Sequence, residues 1–169
     1  MSCPFDKRRD GMLLSEGAGV VILEEMESAL RRKAKIYGEV SAVSSVSIPV
    51  LQGQERQNAD GMAEVMKLAL QEAGLHPSDI GYICANANSS LVGDAEEAKA
   101  VQRVFGQEAS AIPISSIKSM IGESLGAGGA LSLIAALGAM QKNFLPPLIN
   151  FKKDQEQISL DYEIGQAQV

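Results

Sequence analysis

The chain has 169 residues, of which 46% are hydrophobic and 21% are charged, and these values are typical of one globular domain with a real core. Its net charge of −6 argues against nucleic acid or an anionic membrane surface as a partner. No signal-peptide pattern and no apolar run of spanning length is present, so we expect a cytoplasmic protein. Two cysteines and one histidine are too few for a disulfide framework or a zinc site, and we expect neither metal nor cofactor.

The first elements in chain order are short. The segment "GMLLSEGAGVVILEEM" predicts a hairpin-like start over residues 12–14, a glycine-rich turn and a strand over residues 20–23. "MESALRRK" is a short helix, and alternating residues predict a strand over residues 36–43. The polar stretch of residues 47–61 is long for a loop in a compact domain, so we expect it to be functional or part of an interface.

The clearest helix follows residue 61. Its apolar stripe ends at Gly74, and the members are Met62, Val65, Met66, Ala69, Leu70 and Ala73. A strand is predicted at residues 80–85. We expect Asp94 as an N-cap residue, with Glu97 at the N3 position, to open a second helix over residues 95–105.

The remaining elements complete an α/β pattern with a mixed sheet. Residues 112–116 are predicted as a strand, and "ISLDYE" as a last short strand. The helix predicted over residues 122–140 is apolar nearly all round, which indicates burial in the middle of the molecule. These elements alone do not supply enough cover for it, so we expect a partner chain to provide the rest.

Isolated reactive side chains have structural interpretations. His76 is expected in a surface turn, and Cys84 as a small core residue at the end of a strand. Cys3 as a reactive thiol is the less favoured interpretation. In "SIKSMIGESLGAGG", the helix start could bind an anion, whereas Glu123 there is equally explained by the helix dipole. Lys118 could pair with a carboxylate or be solvated.

Four segments resemble, in order and spacing, the second half of β-ketoacyl synthases, the condensing enzymes of fatty-acid and polyketide synthesis. They are "CPFDKRRDGMLLSEGAGVVILEE", "ICANANSSLVGDAEEAKAV", "SSIKSMIGESLGAGGAL" and "LPPLIN". The resemblance implies a thiolase-like fold of two related halves. It places residues 1–46 at the end of the first half, residues 47–61 in a connection, and residues 62–169 in the second half without its last strand. The family's nucleophilic cysteine would precede this chain, and Cys3 does not take its place.

The resemblance also locates the family's catalytic positions. Asn86 takes the place of the histidine in the family's "AHGT"-like loop, and Glu123 takes the place of the histidine after "KSxxG". Lys118 and the acid that usually supports it, Glu97, are retained, and we expect them to form a structural ion pair. A neutral amide cannot exchange a proton near neutral pH, and an ionised carboxylate only accepts hydrogen bonds. Losing one donor to a developing oxyanion costs on the order of 10²–10³ in rate.

Three functions follow as expectations. The first is a catalytically degenerate chain-length factor of a type II polyketide system, which assembles with an active ketosynthase and serves an acyl carrier protein. In this interpretation a separate polypeptide supplies the missing first half, or the chain is a fragment of a longer subunit. The second is half of a split ketosynthase with non-elongating acyltransferase activity. The third is a purely structural scaffold subunit.

Overall fold

The computed structural model describes residues 1–48 and 59–152. Its helices are α1 (Met26–Arg31), α2 (Ala59–Ala73), α3 (Gly93–Phe105), α4 (Lys118–Ile121) and α5 (Gly128–Lys142). Its strands are β1 (Ile83–Cys84) and β2 (Ile114–Ser115). The predicted last strand and most of the predicted loop over residues 47–61 lie outside the described residues, and the division into two halves stays a prediction.

The sheet consists of two parallel strands, β1 and β2, and a polar loop follows each of them. Ile83 lies opposite Ile114, and Cys84 lies opposite Ser115. Both strands are shorter than the predicted ranges, residues 80–85 and 112–116. A strand is defined by its partner, and each of these segments finds one over only two residues.

The core lies between this sheet and the helix pair α2 and α3. Its buried members are Phe5, Ala85, Ala87, Ala98, Val101, Phe105, Ala109, Ile112, Ile114, Leu148 and Phe151. Met66 and Leu70 of the α2 stripe pack against it, which confirms that stripe as core. Gly74 ends α2 with a φ of +68°, as predicted.

The predicted hairpin-like start and the strands over residues 20–23 and 36–43 are wrong for the described residues. Leu14 instead forms an isolated parallel bridge with Glu123. Residues 17–23 and 36–43 have no strand partner there, so they carry no strand assignment. The helix predicted at "MESALRRK" is confirmed as α1.

The apolar helix predicted over residues 122–140 begins later than predicted and is only partly covered by this chain alone. Gly122, at a φ of +77°, separates α4 from a short turn, and α5 begins only at Gly128. Only Gly128 and Ala139 of α5 are buried, while Ile134 and Met140 are exposed. The described residues thus cover only part of α5, in line with the expectation that this chain alone does not supply enough cover, and burial of the helix by a partner stays a prediction.

Candidate functional site

A loop over residues 86–90 follows β1, and Glu97 of α3 fixes its backbone. Glu97 accepts hydrogen bonds from the backbone N–H of Asn86 at 2.7 Å and of Ala87 at 2.8 Å, one on each carboxylate oxygen. Burial raises the pKa of Glu97 and outweighs the opposing effect of these two bonds. Ser116 at the end of β2 donates to the carbonyl oxygen of Ala87 at 2.7 Å. The loop backbone is thus fixed on both sides.

Asp94 holds the second part of the same loop, and its role differs from the predicted cap. The N-cap of α3 is Val92, and Asp94 lies in the first turn. Its carboxylate accepts from the backbone N–H groups of Asn88 at 3.1 Å, Ser89 at 3.1 Å and Phe5 at 2.9 Å. Burial raises the pKa of Asp94 despite these bonds. The predicted capping box is wrong because both acids bond to neighbouring segments instead of to their own helix.

Lys118 is the first residue of α4, and it contacts the site through its side chain. Its Nζ lies 2.5 Å from Asn86 Oδ1 and 2.7 Å from Glu123 Oε2. The side chain is 5% exposed, so its charge is largely shielded from water. The structure therefore brings together the three residues that the sequence placed at the family's catalytic positions.

Glu123 is bound through both its backbone and its side chain. Its N–H donates to the carbonyl oxygen of Leu13 at 2.8 Å, and its carbonyl oxygen accepts from the N–H of Ser15 at 2.9 Å. Oε2 accepts from Lys118 and from Asn88 Nδ2 at 3.1 Å, and Oε1 accepts from the N–H of Leu125 at 2.8 Å. Burial opposes ionisation, but these hydrogen bonds and the Lys118 charge outweigh it and lower the pKa of Glu123.

The expected ion pair between Lys118 and Glu97 is wrong. Glu97 uses both oxygens for the loop amides, whereas the Lys118 ammonium lies against Glu123. The reason is electrostatic. The Glu123 carboxylate lies 2.7 Å from the lysine and forms a charge-assisted hydrogen bond with it, whereas both oxygens of Glu97 already accept from backbone N–H groups. Lys118 still acts through space on Glu97, whose pKa it tends to lower.

Asn88 belongs to the site although the sequence did not single it out. Its Nδ2 donates to Glu123, and its Oδ1 accepts from the backbone N–H of Ser90 at 3.2 Å. The one available signal was its position two residues after Asn86 in a loop of small polar residues. We call Asn86, Asn88, Lys118 and Glu123 the Lys118 cluster.

The cysteines and the histidine lie outside the cluster. Cys3 is buried, and its Sγ lies 3.9 Å from Ser89 Oγ. Cys84 is half-buried and its Sγ lies 3.8 Å from the carbonyl oxygen of Ser132, while burial raises the pKa of its thiol. Such a thiol is a poor nucleophile. His76 is exposed, and its backbone N–H donates to the Asp79 carboxylate at 2.8 Å, so the predicted surface turn is confirmed.

The polar groups of the Lys118 cluster are bonded to one another. It contains one ammonium, one carboxylate and two amides, and the ammonium donates to both the carboxylate and an amide oxygen. An amide has no proton to exchange near neutral pH, and a carboxylate whose pKa is lowered is a weak base. The cluster therefore consists of one ion pair and two neutral amides that contact it.

Comparison with known proteins shows the family. Residues 37–152 match the family described as "Beta-ketoacyl synthase, C-terminal domain". The chain is 38% identical to 3-oxoacyl-[acyl-carrier-protein] synthase 2 of Synechocystis sp., over 98% of this chain and 40% of that protein. It is 39% identical to the tetracenomycin polyketide synthase ketoacyl synthase alpha subunit of Streptomyces glaucescens, over 95% of this chain and 38% of that subunit.

Two solved structures have the same fold over 99% of this chain. One is a type II polyketide synthase acyl carrier protein in complex with its ketosynthase bound to the hexaketide, with a TM-score of 0.92, 35% identity and coverage of 41% of that chain. The other is the ishigamide ketosynthase/chain length factor, with a TM-score of 0.86, 35% identity and again 41% coverage.

The chain belongs to the β-ketoacyl synthase family and has the thiolase-like fold of its C-terminal domain. It spans about two fifths of the length of the relatives it matches. The thiolase-like fold predicted from the sequence is therefore confirmed. In the part of the chain that the structure describes, no helix is long and apolar enough to cross a membrane.

Proposed function

We propose that this chain is a ketosynthase-like subunit of the chain-length-factor type, without a working condensation site of its own. One observation carries the proposal: Lys118 Nζ lies between Asn86 Oδ1 and Glu123 Oε2, at 2.5 and 2.7 Å. The two residues at the family's histidine positions present acceptors to the lysine. Neither offers the imidazole N–H that a condensing enzyme of this family presents to a thioester carbonyl.

The argument is electrostatic. Condensation builds negative charge on a carbonyl oxygen, and catalysis requires donors where that charge develops. The Glu123 carboxylate, with its lowered pKa, is negative at neutral pH and acts in the wrong sense at such a position. Lys118 balances that charge, and its Nζ is directed at Glu123 Oε2 and Asn86 Oδ1.

The proposed partners follow from the relatives. One structural neighbour is a ketosynthase with its acyl carrier protein, and another is a ketosynthase/chain length factor. We infer that this subunit assembles with an active ketosynthase, serves the same carrier protein, and helps to elongate a polyketide or fatty acyl chain. A separate chain that carries the N-terminal half is a further proposed partner, and the co-purification below tests it.

The test is co-expression with the genomic neighbours, affinity purification through this chain, and mass determination of the intact assembly. We expect recovery with a ketosynthase that carries an intact Cys-His-His set. Product length is then measured for wild type and for variants of this chain. A changed length with unchanged turnover supports the chain-length role, whereas an unchanged length in every variant points to a scaffold. A monodisperse monomer that needs no companion contradicts the proposal.

A further inference from the structure

Three hydrogen-bond donors from separate parts of the chain converge on the carboxylate of Glu123. Lys118 Nζ lies 2.7 Å from Oε2, Asn88 Nδ2 donates to the same oxygen at 3.1 Å, and the backbone N–H of Leu125 donates to Oε1 at 2.8 Å. One donor carries a full positive charge, and both carboxylate oxygens are bound. Charge-assisted donors arranged in this way are what a small carboxylate needs for binding.

The two side-chain donors are also held by contacts that do not involve Glu123. Lys118 Nζ lies 2.5 Å from Asn86 Oδ1. The backbone N–H of Asn88 donates to the buried Asp94 carboxylate at 3.1 Å, which fixes the loop that carries the Asn88 amide. We therefore expect both donors to keep their places when the Glu123 carboxylate is removed.

The space around the carboxylate is narrow and lies close to the surface of the chain. A Cβ atom added at Gly128 would lie 3.3 Å from Glu123 Oε1, so the first residue of α5 closes one side of this space. Glu123 itself is buried, whereas its neighbours Leu125 and Asn86 are exposed. A small ion can therefore reach the three donors once the Glu123 side chain is absent.

The charge balance at this position requires an anion. Lys118 contacts the neutral Asn86 amide, and Glu97 uses both its oxygens for backbone N–H groups. Without Glu123, the buried ammonium would lose the carboxylate that bonds to it directly, which is strongly destabilising. Burial opposes ionisation of Glu123, yet the donors lower its pKa, so the site favours a negative charge.

We propose that these three donors form a binding site for a small carboxylate, which the chain closes with its own Glu123 side chain. Glu123 is then an autoinhibitory contact. A carboxylate-bearing ligand is excluded while Glu123 is in place, and the site takes one when that side chain is removed. The atoms of Glu123 beyond Cβ are those of an acetate ion, which sets the size of the ligand. This inference concerns what the cluster binds, and it does not rest on the proposed role in chain length.

The experiment compares Glu123→Ala with wild type in the full chain as it purifies, with any partner retained, and uses acetate as the probe. We expect the urea midpoint of the variant to fall by about 1 M or more, because the buried Lys118 charge has lost its partner. Acetate should restore most of this loss and then saturate, as a ligand that binds only the folded state does. NMR line broadening of acetate should show binding to the variant directly, and wild type should show none.

Two further probes and two further variants separate a carboxylate site from a general salt effect. Acetamide has the shape of acetate without its charge, and sodium chloride supplies the same ionic strength, so neither should restore the midpoint. Lys118→Ala combined with Glu123→Ala removes the charged donor and should abolish the response to acetate. Glu24→Ala removes the partner of Arg32 from a surface ion pair, so its midpoint should not respond to acetate.

Glu123→Gln decides the question if Glu123→Ala does not fold. Its side chain keeps the shape of Glu123 without the charge, so this variant should be less stable than wild type and should not respond to acetate. The inference is overturned if Glu123→Gln is as stable as wild type, or if a folded Glu123→Ala does not respond to acetate. It is also overturned if acetamide or Glu24→Ala reproduces the acetate effect, or if wild type binds acetate as tightly as Glu123→Ala does. The proposed function is tested by assembly and product length, so either can fail while the other stands.

Discussion

The Glu123 carboxylate lies 2.7 Å from the Lys118 ammonium, and the two side chains are 7% and 5% exposed. A buried pair of this kind is weak evidence for net stability, since desolvation of both charges offsets their attraction. Removal of either partner alone, however, leaves the other charge buried without compensation, which is strongly destabilising. We therefore expect Lys118 to act structurally, as the counter-charge of Glu123.

Lys118→Ala should weaken folding and assembly more than it changes any chemistry. It leaves the Glu123 carboxylate buried without its counter-charge, a change that typically costs about 3–5 kcal/mol. Urea unfolding of the purified assembly measures it. Arg32→Ala is the control, because Arg32 is 62% exposed and its partner Glu24 is 25% exposed, so removing this surface pair should leave the stability almost unchanged. A soluble, fully assembled Lys118→Ala complex that has lost activity would show a chemical role instead.

Gly122→Ala should break the contact between the cluster and the segment at residues 13–15. Gly122 has a φ of +77°, and an added Cβ would lie 2.8 Å from the carbonyl oxygen of Leu13 and 2.9 Å from Ser15 Cβ. We expect a loss on the order of 1–3 kcal/mol, read from thermal or urea unfolding. Gly126→Ala is the control, since Gly126 has open space around its Cβ position. Gly→Ala at an unstrained position stabilises a protein slightly through the unfolded chain, so equal losses in both variants would contradict the close approach as the cause.

Asp6 should contribute acid-side stability that ends near pH 2. Burial by itself would raise the pKa of Asp6. The carboxylate accepts two hydrogen bonds from the Arg8 guanidinium and others from the backbone N–H groups of Arg8 and Lys152, and these bonds lower its pKa to about 2. Because the folded pKa lies below the unfolded value, the contribution is complete above about pH 4 and is lost as pH falls through about 2.

The variant Asp6→Asn tests this contribution. At pH 7 it should be less stable than wild type by about 2 kcal/mol, and the difference should vanish near pH 2. Urea midpoints at a series of pH values measure it. A difference that is constant from pH 7 to pH 2 would assign the effect to packing instead of to the charge of Asp6.

Restoring the family's histidines should not create condensation in this chain alone. Asn86→His with Glu123→His returns imidazoles to both positions, but neither described cysteine suits the nucleophile role. Cys3 is buried, and the pKa of the half-buried Cys84 thiol is raised. Transfer of an acyl group to the double variant, followed by mass spectrometry, is the measurement. Condensation product from the isolated double variant would refute the interpretation that the nucleophile lies elsewhere.

The sequence predicted the site better than it predicted the strands. Asn86, Lys118 and Glu123 were placed at related positions by motif alone, and the structure brings their side chains together. The helices α2 and α3 were likewise readable from periodicity, because their packing partners lie within the described residues. Residues 20–23 and 36–43 failed as strands because a strand depends on a partner that no local pattern can supply.

The sequence also did not predict that Lys118 pairs with Glu123 instead of with Glu97. Glu97 and Lys118 suggested an ion pair through the family resemblance, but the outcome depends on the competition between two carboxylates for one ammonium. Glu123 wins that competition because both oxygens of Glu97 already accept hydrogen bonds from backbone amides. Spacing alone gives no access to such three-body competition.

The most direct test of the account measures carbon dioxide release from a malonyl carrier protein by the purified assembly in which the partner ketosynthase's nucleophilic cysteine and histidines have been replaced. With only this chain's positions left intact, we predict release no faster than in buffer, and no further change in Asn86→Ala or Glu123→Gln. Release above that background which either substitution abolishes would mean that the Lys118 cluster is catalytic, and would contradict the account.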